Sequence, residues 1–260
     1  MSESTVLYRR EGKVAIITLN RPEAMNSMTV SMMENLTAAV KQFDKDDDAW
    51  VAILNGNGRS FCTGADLKES LGLIEEDAGN LYELPKTGMA TVTAIANCKK
   101  PTIAAIHGHT VAGGMLFANA CALIVAAAST KIAMPETKVG MPTLGYLDMW
   151  KVVGPRRFME MALTGSSINA EKALDWGLVN KVVDDDTLLD EALAMANKIA
   201  SNSPKSVAGH LKAVKLSIKY NKELLEEMAT DIWDDVVYSE DLQEGLKSFG
   251  EKRAPVWKNK

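Results

Sequence analysis

The sequence contains few of the residues from which disulfide frameworks and zinc sites are built. Among its 260 residues there are three cysteines and three histidines. The cysteines, Cys62, Cys98 and Cys121, have no CxxC spacing, and neither an HExxH motif nor a Cys/His cluster is present. An odd number of widely spaced cysteines is typical of free thiols in a reducing compartment. We therefore expect no disulfide framework and no metal site.

The sequence also lacks an excess of basic charge and a long apolar run. The 34 acidic residues outnumber the 29 basic ones, which gives a formal net charge of −5. Proteins that depend on extended phosphate contacts need a basic surface, so a nucleic-acid partner is not expected. No segment approaches the length of a membrane span, and the first residues lack the apolar run of a signal peptide. We expect a cytoplasmic protein with no membrane contact.

Composition and periodicity are those of a globular α/β protein, with 47% apolar and 24% charged residues. Short β-branched segments alternate with amphipathic helical patterns up to about Val183, and only helical patterns follow. Strands are predicted at 13–19, 50–54, 102–106, 123–127 and 178–183. We predict a core over residues 1–200 that holds the active site, and a helical region over 201–260.

Two glycine-bearing loops each follow a predicted strand and precede a predicted helix. Residues 58–69 read GRSFCTGADLKE, and residues 107–117 read HGHTVAGGMLF. Backbone N–H groups at such turns are free to bind negative charge, and glycine lets a ligand approach the chain closely. Neither loop has the GxxxxGK[ST] or GxGxxG pattern of a nucleotide-phosphate cradle. The loops therefore predict an anion-binding site without naming the ligand.

Five short motifs, in this order, resemble the crotonase (enoyl-CoA hydratase/isomerase) superfamily. They are FCTGADL, IHGHTVAGGML, AMPETKVGMP, GLVNKVV and EGLKSFGEKRAP, and the similarity extends from LNRPEAMNSM at 19–28 through the C-terminal helix. The resemblance implies a spiral of repeated ββα units with a C-terminal helical region for trimerisation. It also implies an acyl-CoA substrate, a homotrimer or homohexamer, and no cofactor beyond the coenzyme A moiety of the substrate.

The resemblance assigns an oxyanion hole to the two glycine-bearing loops. Enzymes of the family bind the thioester oxygen with two backbone N–H groups, which fall here on Ala65 in TGAD and Gly113 in AGGM. Preorganised donors stabilise an enolate oxygen as it forms, and losing one donor typically costs about 3–4 kcal/mol of transition-state stabilisation. Ala65 and Gly113 are therefore predicted to act in catalysis through their backbone.

Side chains near carbons C2 to C4 of the acyl group decide the reaction. Hydratases of the family place one carboxylate three residues beyond the oxyanion glycine and another in a PE motif, because adding water across C2=C3 uses both. Here the first position is Leu116 and the second is Glu136. A single carboxylate suits proton transfer between two carbons through a dienolate, and the pattern looks like that of the Δ3,Δ2-enoyl-CoA isomerases. We expect Glu136 to be the acid/base in an apolar pocket from which Leu116 helps to exclude water.

Asp148 and His109 leave other reactions of the superfamily open. Asp148 would be a second carboxylate if it points into the pocket, although an acidic residue at a helix start commonly serves the helix alone. His109 is expected near the pocket. If either residue takes part in catalysis, the enzyme would be a hydratase, hydrolase or decarboxylase acting on an unusual acyl group. An RNA-binding role on a basic helical face is the alternative from another class, with Lys212, Lys215, Lys219 and Lys222 on that face.

The resemblance also implies which residues contact the substrate and its coenzyme A moiety. Phe249 and Lys252 would reach coenzyme A from the C-terminal helix of the same or a neighbouring subunit. The full predicted set is Met25, Ala65, Asp66, Leu67, Lys68, Gly113, Leu116, Phe249 and Lys252.

Overall fold

A computed structural model describes residues 4–77, 83–141, 149–220 and 222–260. Six of its strands form one sheet in the order β1-β2-β3-β4-β6-β9. β1 and β2 are an antiparallel hairpin, and all other neighbours in this sheet are parallel. The strands are β1 (Val6–Glu11), β2 (Val14–Leu19), β3 (Val51–Gly56), β4 (Thr102–Ile106), β6 (Leu123–Ala127) and β9 (Lys181–Val183).

Three shorter strands form a second sheet. They are β5 (His109–Val111), β7 (Lys131–Ala133) and β8 (Ser167–Asn169), in the order β5-β7-β8. β5 and β7 run parallel, with Val111 opposite Ala133. The next residue, Ala112, donates its N–H to the Ala133 carbonyl at 3.0 Å. The segments that leave β5 and β7 therefore start side by side.

Helices account for most of the rest of the described chain. They are α1 (Val30–Lys45), α2 (Leu67–Glu76), α3 (Glu83–Ala96), α4 (Gly113–Ala120), α5 (Met149–Val153), α6 (Pro155–Thr164), α7 (Ala170–Asp175), α8 (Leu188–Ala200), α9 (Pro204–Lys219), α10 (Lys222–Val237) and α11 (Glu240–Glu251). Within the ranges that the structure covers, no helix is both long and apolar enough to cross a bilayer.

The central strands β2, β3, β4 and β6 of the main sheet are buried on both faces, which explains their continuous apolar stretches. Alternate residues such as Ile17 and Leu54 join one core cluster, which also contains buried residues of α1, α3 and α4. The intervening residues, such as Ile16 and Ile53, join a second cluster with Ala192 and its neighbours on α8. Side chains alternate across a strand, so a central strand needs apolar residues at successive positions to fill both cores.

The two ends of the main sheet carry different parts of the chain. Both glycine-bearing loops leave the carboxyl ends of β3 and β4. The helices after α8 pack at the amino ends, where Pro101 and Leu123 share an apolar groove with residues of α9 and α11. Lys215 on α9 donates to the Cys98 carbonyl at 2.7 Å, just beyond the end of α3. The C-terminal helices and the glycine-bearing loops thus lie at opposite ends of the sheet.

The predicted α/β class and the C-terminal helices are confirmed. The strands predicted at 102–106 and 123–127 match the structure residue for residue. The strand predicted at 178–183 is shorter and covers Lys181–Val183. Leu178 and Val179 are apolar because they are buried in the core, where they pack without pairing. The division at residue 200 stays a prediction.

Candidate active site

The two glycine-bearing loops pair with each other along their length. Cys62 donates its N–H to the His109 carbonyl at 3.2 Å, and Val111 donates to the Cys62 carbonyl at 3.0 Å. Phe61 adds a bond to the His107 carbonyl at 2.9 Å. These bonds hold the loop after β3 against β5, so the residues that follow each of them are brought together.

Glycine is required at position 114 by this close approach. A Cβ on Gly114 would lie 2.3 Å from the Cys62 carbonyl oxygen, a backbone atom that cannot turn away. The same loops approach at Gly64, where an added Cβ would lie 3.4 Å from the Gly113 nitrogen. The TGAD and AGGM segments are therefore in contact.

The N–H of Gly113 is left available by the way α4 begins. Ala112, with φ 50 and ψ −126, precedes the helix. Its carbonyl accepts from Met115 at 2.9 Å and from Leu116 at 3.3 Å, which are the first bonds of the helix. The N–H groups at the start of a helix have no partner within it. Gly113 N–H donates to no acceptor within the described residues.

The N–H of Ala65 is left available by a short parallel bridge to Met28. Met28 donates to the Gly64 carbonyl at 2.8 Å, and Asp66 donates to the Met28 carbonyl at 3.0 Å. In such a bridge the flanking peptide groups make the bonds, and the central residue turns its own N–H away from the partner. No bond of the Ala65 N–H is found in the part of the chain that is described. Two backbone donors of this kind can bind an oxygen that gains negative charge.

Glu136 leaves the small sheet at the same end as Gly113. It begins a 3₁₀ turn, Glu136–Val139, three residues beyond the end of β7. Because Val111 pairs with Ala133, the segments that follow β5 and β7 start side by side at the carboxyl ends of these two strands. The Glu136 side chain is half-buried, and its Oε2 atom is inaccessible to solvent. The motif residue predicted to be the acid/base is thus a half-buried carboxylate with one enclosed oxygen.

The apolar pocket predicted around Glu136 has Met134, Leu116 and Trp150 as its lining, and these three residues differ in burial. Met134 is fully buried and Leu116 is half-buried against the core. Trp150 keeps 43% of its surface exposed. Asp148, the candidate second carboxylate, lies outside the described residues, as does the rest of 142–148.

Asp66 uses both of its carboxylate oxygens within the protein. Oδ1 accepts from the N–H groups of Lys68 and Glu69 at the start of α2, at 3.1 and 3.4 Å. Oδ2 accepts from the Ser27 hydroxyl at 2.9 Å and from Arg21 at 3.0 Å. Burial alone would raise the pKa of this carboxyl, but these hydrogen bonds outweigh it and hold the pKa below its usual value. Asp66 is therefore charged and internally bonded.

The other residues predicted around coenzyme A in this loop lie at the surface. Leu67 is 68% exposed, and Lys68 is exposed beside it at the start of α2. Met25 is half-buried and has a left-handed backbone with φ 51. Its carbonyl accepts a hydrogen bond from Thr63 at 3.4 Å.

The histidines of the second loop are not brought to the two free amides. Nε2 of His107 lies 2.9 Å from the Gly58 carbonyl, which is a structural contact between loops. His109 is exposed at the amino end of β5, whereas Gly113 follows the carboxyl end of that strand. The expectation that His109 lies near the pocket finds no support in this placement.

Phe249 and Lys252 lie far along the chain on α11. Phe249 is 87% exposed, and Lys252 is an exposed residue that ends the helix. Leu242 and Leu246 of the same helix line the groove at the amino ends of the strands. The structure therefore does not bring Phe249 and Lys252 to the loops at the carboxyl ends within one chain.

Cys62 is buried in the first loop and is not a nucleophile in this setting. Burial raises the pKa of its thiol to about 12, so the thiol stays protonated near neutral pH. Across the described ranges, no three His, Cys, Asp or Glu side chains come together as they would around a metal ion.

Sequence analysis missed two residues that touch the site, Arg21 and Met28. Both belong to the LNRPEAMNSM segment, in which the family resemblance assigned a role only to Met25. The Met28 side chain lies against Gly113, where an added Cβ would be 2.0 Å from its Cε. The only signal in the sequence was membership of that segment.

Comparisons with known proteins agree with this architecture. The sequence profile of the enoyl-CoA hydratase/isomerase family matches residues 9–260. The chain is 35% identical to a "probable enoyl-CoA hydratase" of Rhizobium meliloti over the full length of both proteins. It is 37% identical to the mevalonyl-coenzyme A hydratase of Beauveria bassiana, over 95% of this chain and 91% of the relative. The crystal structure of enoyl-CoA hydratase from Bacillus anthracis superposes with a TM-score of 0.93 at 31% identity, covering 98% of this chain and 100% of the other. The chain therefore belongs to the enoyl-CoA hydratase/isomerase family, the crotonase superfamily that its motifs predicted, and is an enzyme of that family.

Proposed function

We propose that the protein is an acyl-CoA double-bond isomerase, with Glu136 as its acid/base and the N–H groups of Ala65 and Gly113 as its oxyanion donors. One observation carries this proposal. Glu136 and Gly113 lie in the segments that follow the carboxyl ends of the paired strands β5 and β7. The position three residues beyond Gly113 is occupied by the apolar Leu116. In the described parts of these two segments, residues 112–120 and 134–141, Glu136 is the one carboxylate, and a single carboxylate with two backbone donors suits proton transfer better than activation of water.

The reaction moves one proton and one double bond. The substrate is a 3-enoyl-CoA, whose C2 protons are acidified by the thioester carbonyl. The Glu136 carboxylate removes a proton from C2, and the electron pair delocalises over C2, C3, C4 and the carbonyl oxygen. Ala65 and Gly113 donate to that oxygen while it carries negative charge. Glu136 then returns the proton to C4, which leaves the double bond between C2 and C3.

Leu116 has a defined part in this scheme. It is half-buried against the core and stands where a hydratase would carry a carboxylate. An apolar side chain there offers no hydrogen bond to hold a water molecule beside C3. Water is thereby kept from the dienolate, so the proton returns before any addition takes place.

The coenzyme A moiety is the only cofactor-like group in the proposal. Asp66, Leu67 and Lys68 belong to the first glycine-bearing loop, Met25 accepts a hydrogen bond from Thr63 of that loop, and Lys68 supplies an exposed cation. Phe249 and Lys252 are at the end of α11, the helix whose Leu242 and Leu246 line the groove at the amino ends of the strands, opposite the glycine-bearing loops. In the proposal they contact the coenzyme A bound to a neighbouring subunit of a homotrimer or homohexamer, with residues 201–260 as the assembling region.

A hydratase is the second candidate, favoured by the names of relatives. The Rhizobium meliloti and Beauveria bassiana proteins are both named as hydratases. Hydration needs a second group to position and activate water, which here falls to Asp148 if its carboxylate joins Glu136. For a hydrolase or decarboxylase acting on an unusual acyl group, Asp148 or His109 would have to supply the additional group.

Isotope incorporation separates the two candidates. A 3-enoyl-CoA and a 2-enoyl-CoA are each incubated with the enzyme in ¹⁸O-labelled water, and the products are analysed by mass spectrometry. The isomerase is expected to interconvert the two enoyl-CoA species without taking up ¹⁸O. Labelled hydroxyacyl-CoA from either substrate would contradict pure isomerisation and identify the protein as a hydratase.

A further inference from the structure

One loop contacts both of the proposed oxyanion donors. Residues 21–28 lie between β2 and α1, and Met28 near its end bonds to the peptide groups on both sides of Ala65, at 2.8 and 3.0 Å. The Met28 side chain lies against the other donor, Gly113. A displacement of this loop would therefore change the position of one donor relative to the other.

The loop is attached to the residue after Ala65 by a largely buried ion pair. Arg21 Nη2 lies 3.0 Å from Asp66 Oδ2, and the two side chains keep only 18% and 14% of their surface exposed. The Ser27 hydroxyl donates to the same oxygen at 2.9 Å. Arg21 also donates through Nη1 to the Ser27 carbonyl. The Arg21 guanidinium thus bonds both to Asp66 and to Ser27 at the other end of its own loop.

The far side of the loop is equally well fixed. Asn26 is fully buried, and its amide donates to the carbonyls of Asn57 and Ser60 at 2.9 Å each. Its Oδ1 accepts from the backbone N–H of Arg21 at 2.8 Å. Arg21 is consequently held to the first glycine-bearing loop through Asn26 as well as through Asp66.

A helix cap alone does not explain this arrangement. Asp66 caps α2 with Oδ1, and that bond needs no arginine. Oδ2 is turned to Arg21, which lies 45 residues earlier in the chain. Bringing two charges out of water is costly, and an ion pair of this kind often adds little to stability. Its geometry, adjacent to an oxyanion donor, suits a role in fixing the position of that donor.

We infer that Arg21 and Asp66 form a positioning pair, which sets the Ala65 N–H at the correct distance and angle relative to the Gly113 N–H. The inference rests on the proposed use of these two amides as oxyanion donors. It does not depend on whether the enzyme is an isomerase or a hydratase, because both reactions pass through an enolate. A donor displaced by about 1 Å loses on the order of 100-fold in rate. Ground-state binding of coenzyme A should change little.

The test compares Arg21→Gln, Arg21→Lys, Asp66→Asn and the double variant Arg21→Gln/Asp66→Asn. We measure kcat and KM with the acyl-CoA that the wild type converts. We also titrate each protein with acetoacetyl-CoA and record the near-ultraviolet absorbance of its bound enolate, a readout that a merely structural role would not change. Arg10→Gln is the matched control, since it removes an Arg–Asp contact at the hairpin end of the sheet, away from the site.

Arg21→Gln is expected to lower kcat by about 10- to 100-fold and to leave KM within about threefold of the wild type. The enolate absorbance should fall in the same variant, and Arg21→Lys should restore part of both. The double variant should lose no more kcat than the worse single variant, because the two residues act as one unit. If Arg21→Gln does not fold, Arg21→Lys and Asp66→Asn provide the same comparison, and Asp66→Asn keeps the oxygen that caps α2.

Two results would overturn the inference alone. One is Arg21→Gln with wild-type kcat and enolate absorbance, and the other is Arg21→Gln with its loss in KM, which would make the pair a binding element. A wild-type protein that binds acetoacetyl-CoA without forming the enolate is a different failure. It would contradict the oxyanion-hole assignment and hence the proposed function as well.

Discussion

Ala112 has a backbone conformation that alanine rarely adopts, with φ 50 and ψ −126. Such a residue typically carries about 1–3 kcal/mol of strain, which the surrounding structure must offset. Here the bond from its N–H to Ala133, at 3.0 Å, holds the residue in place. The conformation lets α4 begin at once, so that Gly113 follows with its N–H free. The strain is therefore located where the proposed chemistry needs a fixed donor.

Glu136→Gln provides the sharpest test at the scale of one residue. Glutamine keeps the size of the side chain but cannot accept a proton from carbon, so kcat/KM on a 3-enoyl-CoA should fall by about 10²–10⁴-fold. Glu171→Gln, an exposed position on α7, should leave kcat/KM unchanged. Steady-state kinetics on the two variants checks this, and Glu136→Gln with more than a tenth of wild-type kcat/KM would rule out Glu136 as the base.

Among the elements, length explains which could be predicted from the sequence. β4 and β6 have five residues each, mostly apolar, and the bounds predicted for them from the sequence match those in the structure. β5, β7 and β8 have three residues each, too few for a period to be recognised, so the second sheet was missed. These short strands form because they pair with one another across long sequence separations, and no local sequence pattern indicates such pairing.

The candidate site shows the same dependence on distance along the chain. The loops of Ala65 and Gly113 were predicted because each is a continuous motif beside a strand. Their pairing through Cys62, and the Arg21–Asp66 contact across 45 residues, depend on the folded chain. The motifs therefore predicted which segments form the candidate site, whereas the hydrogen bonds between these segments could be seen only in the folded structure.

Lys215 connects α9 to the core and provides a prediction at the scale of elements. Its Nζ donates to the Cys98 carbonyl at 2.7 Å, and burial of the ammonium lowers its pKa. Lys215→Met removes a charge-assisted bond, but it also removes the cost of burying the charge. We expect a net loss of about 1 kcal/mol in the free energy of unfolding.

Lys212→Met, one helical turn earlier, is the control for Lys215. Lys212 is half-exposed and contacts Asp235 only at 3.8 Å, so its loss should cost less than about 0.5 kcal/mol. Urea unfolding of both variants at one protein concentration measures the difference. Equal effects at the two positions would show that the bond to Cys98 does not hold α9 in place.

At the scale of the whole molecule, the sheet separates the candidate active site from the packed residues of α11. Ala65 and Gly113 lie at the carboxyl ends of the strands, whereas Leu242 and Leu246 of α11 pack at the amino ends. Phe249 is 87% exposed on the same helix. If Phe249 and Lys252 contact coenzyme A, they must do so in a neighbouring subunit, and each active site then combines residues of two chains.

Complementation between two inactive chains tests this shared site. Glu136→Gln and the double variant Phe249→Ala/Lys252→Ala are produced separately and co-expressed with different affinity tags, and assemblies carrying both tags are isolated. If the site is shared, some active sites in the mixed assembly combine the intact Glu136 of the double variant with the intact C-terminal helix of the Glu136→Gln chain. Activity at low acyl-CoA concentration should then exceed the mean of the two pure variants by several-fold.

If each chain completed its own site, every site in the mixture would still lack one group, because Glu136 and the C-terminal residues would be missing from different chains. Mixed assemblies with only the mean activity would therefore assign Phe249 and Lys252 to their own subunit, or to no part of the site.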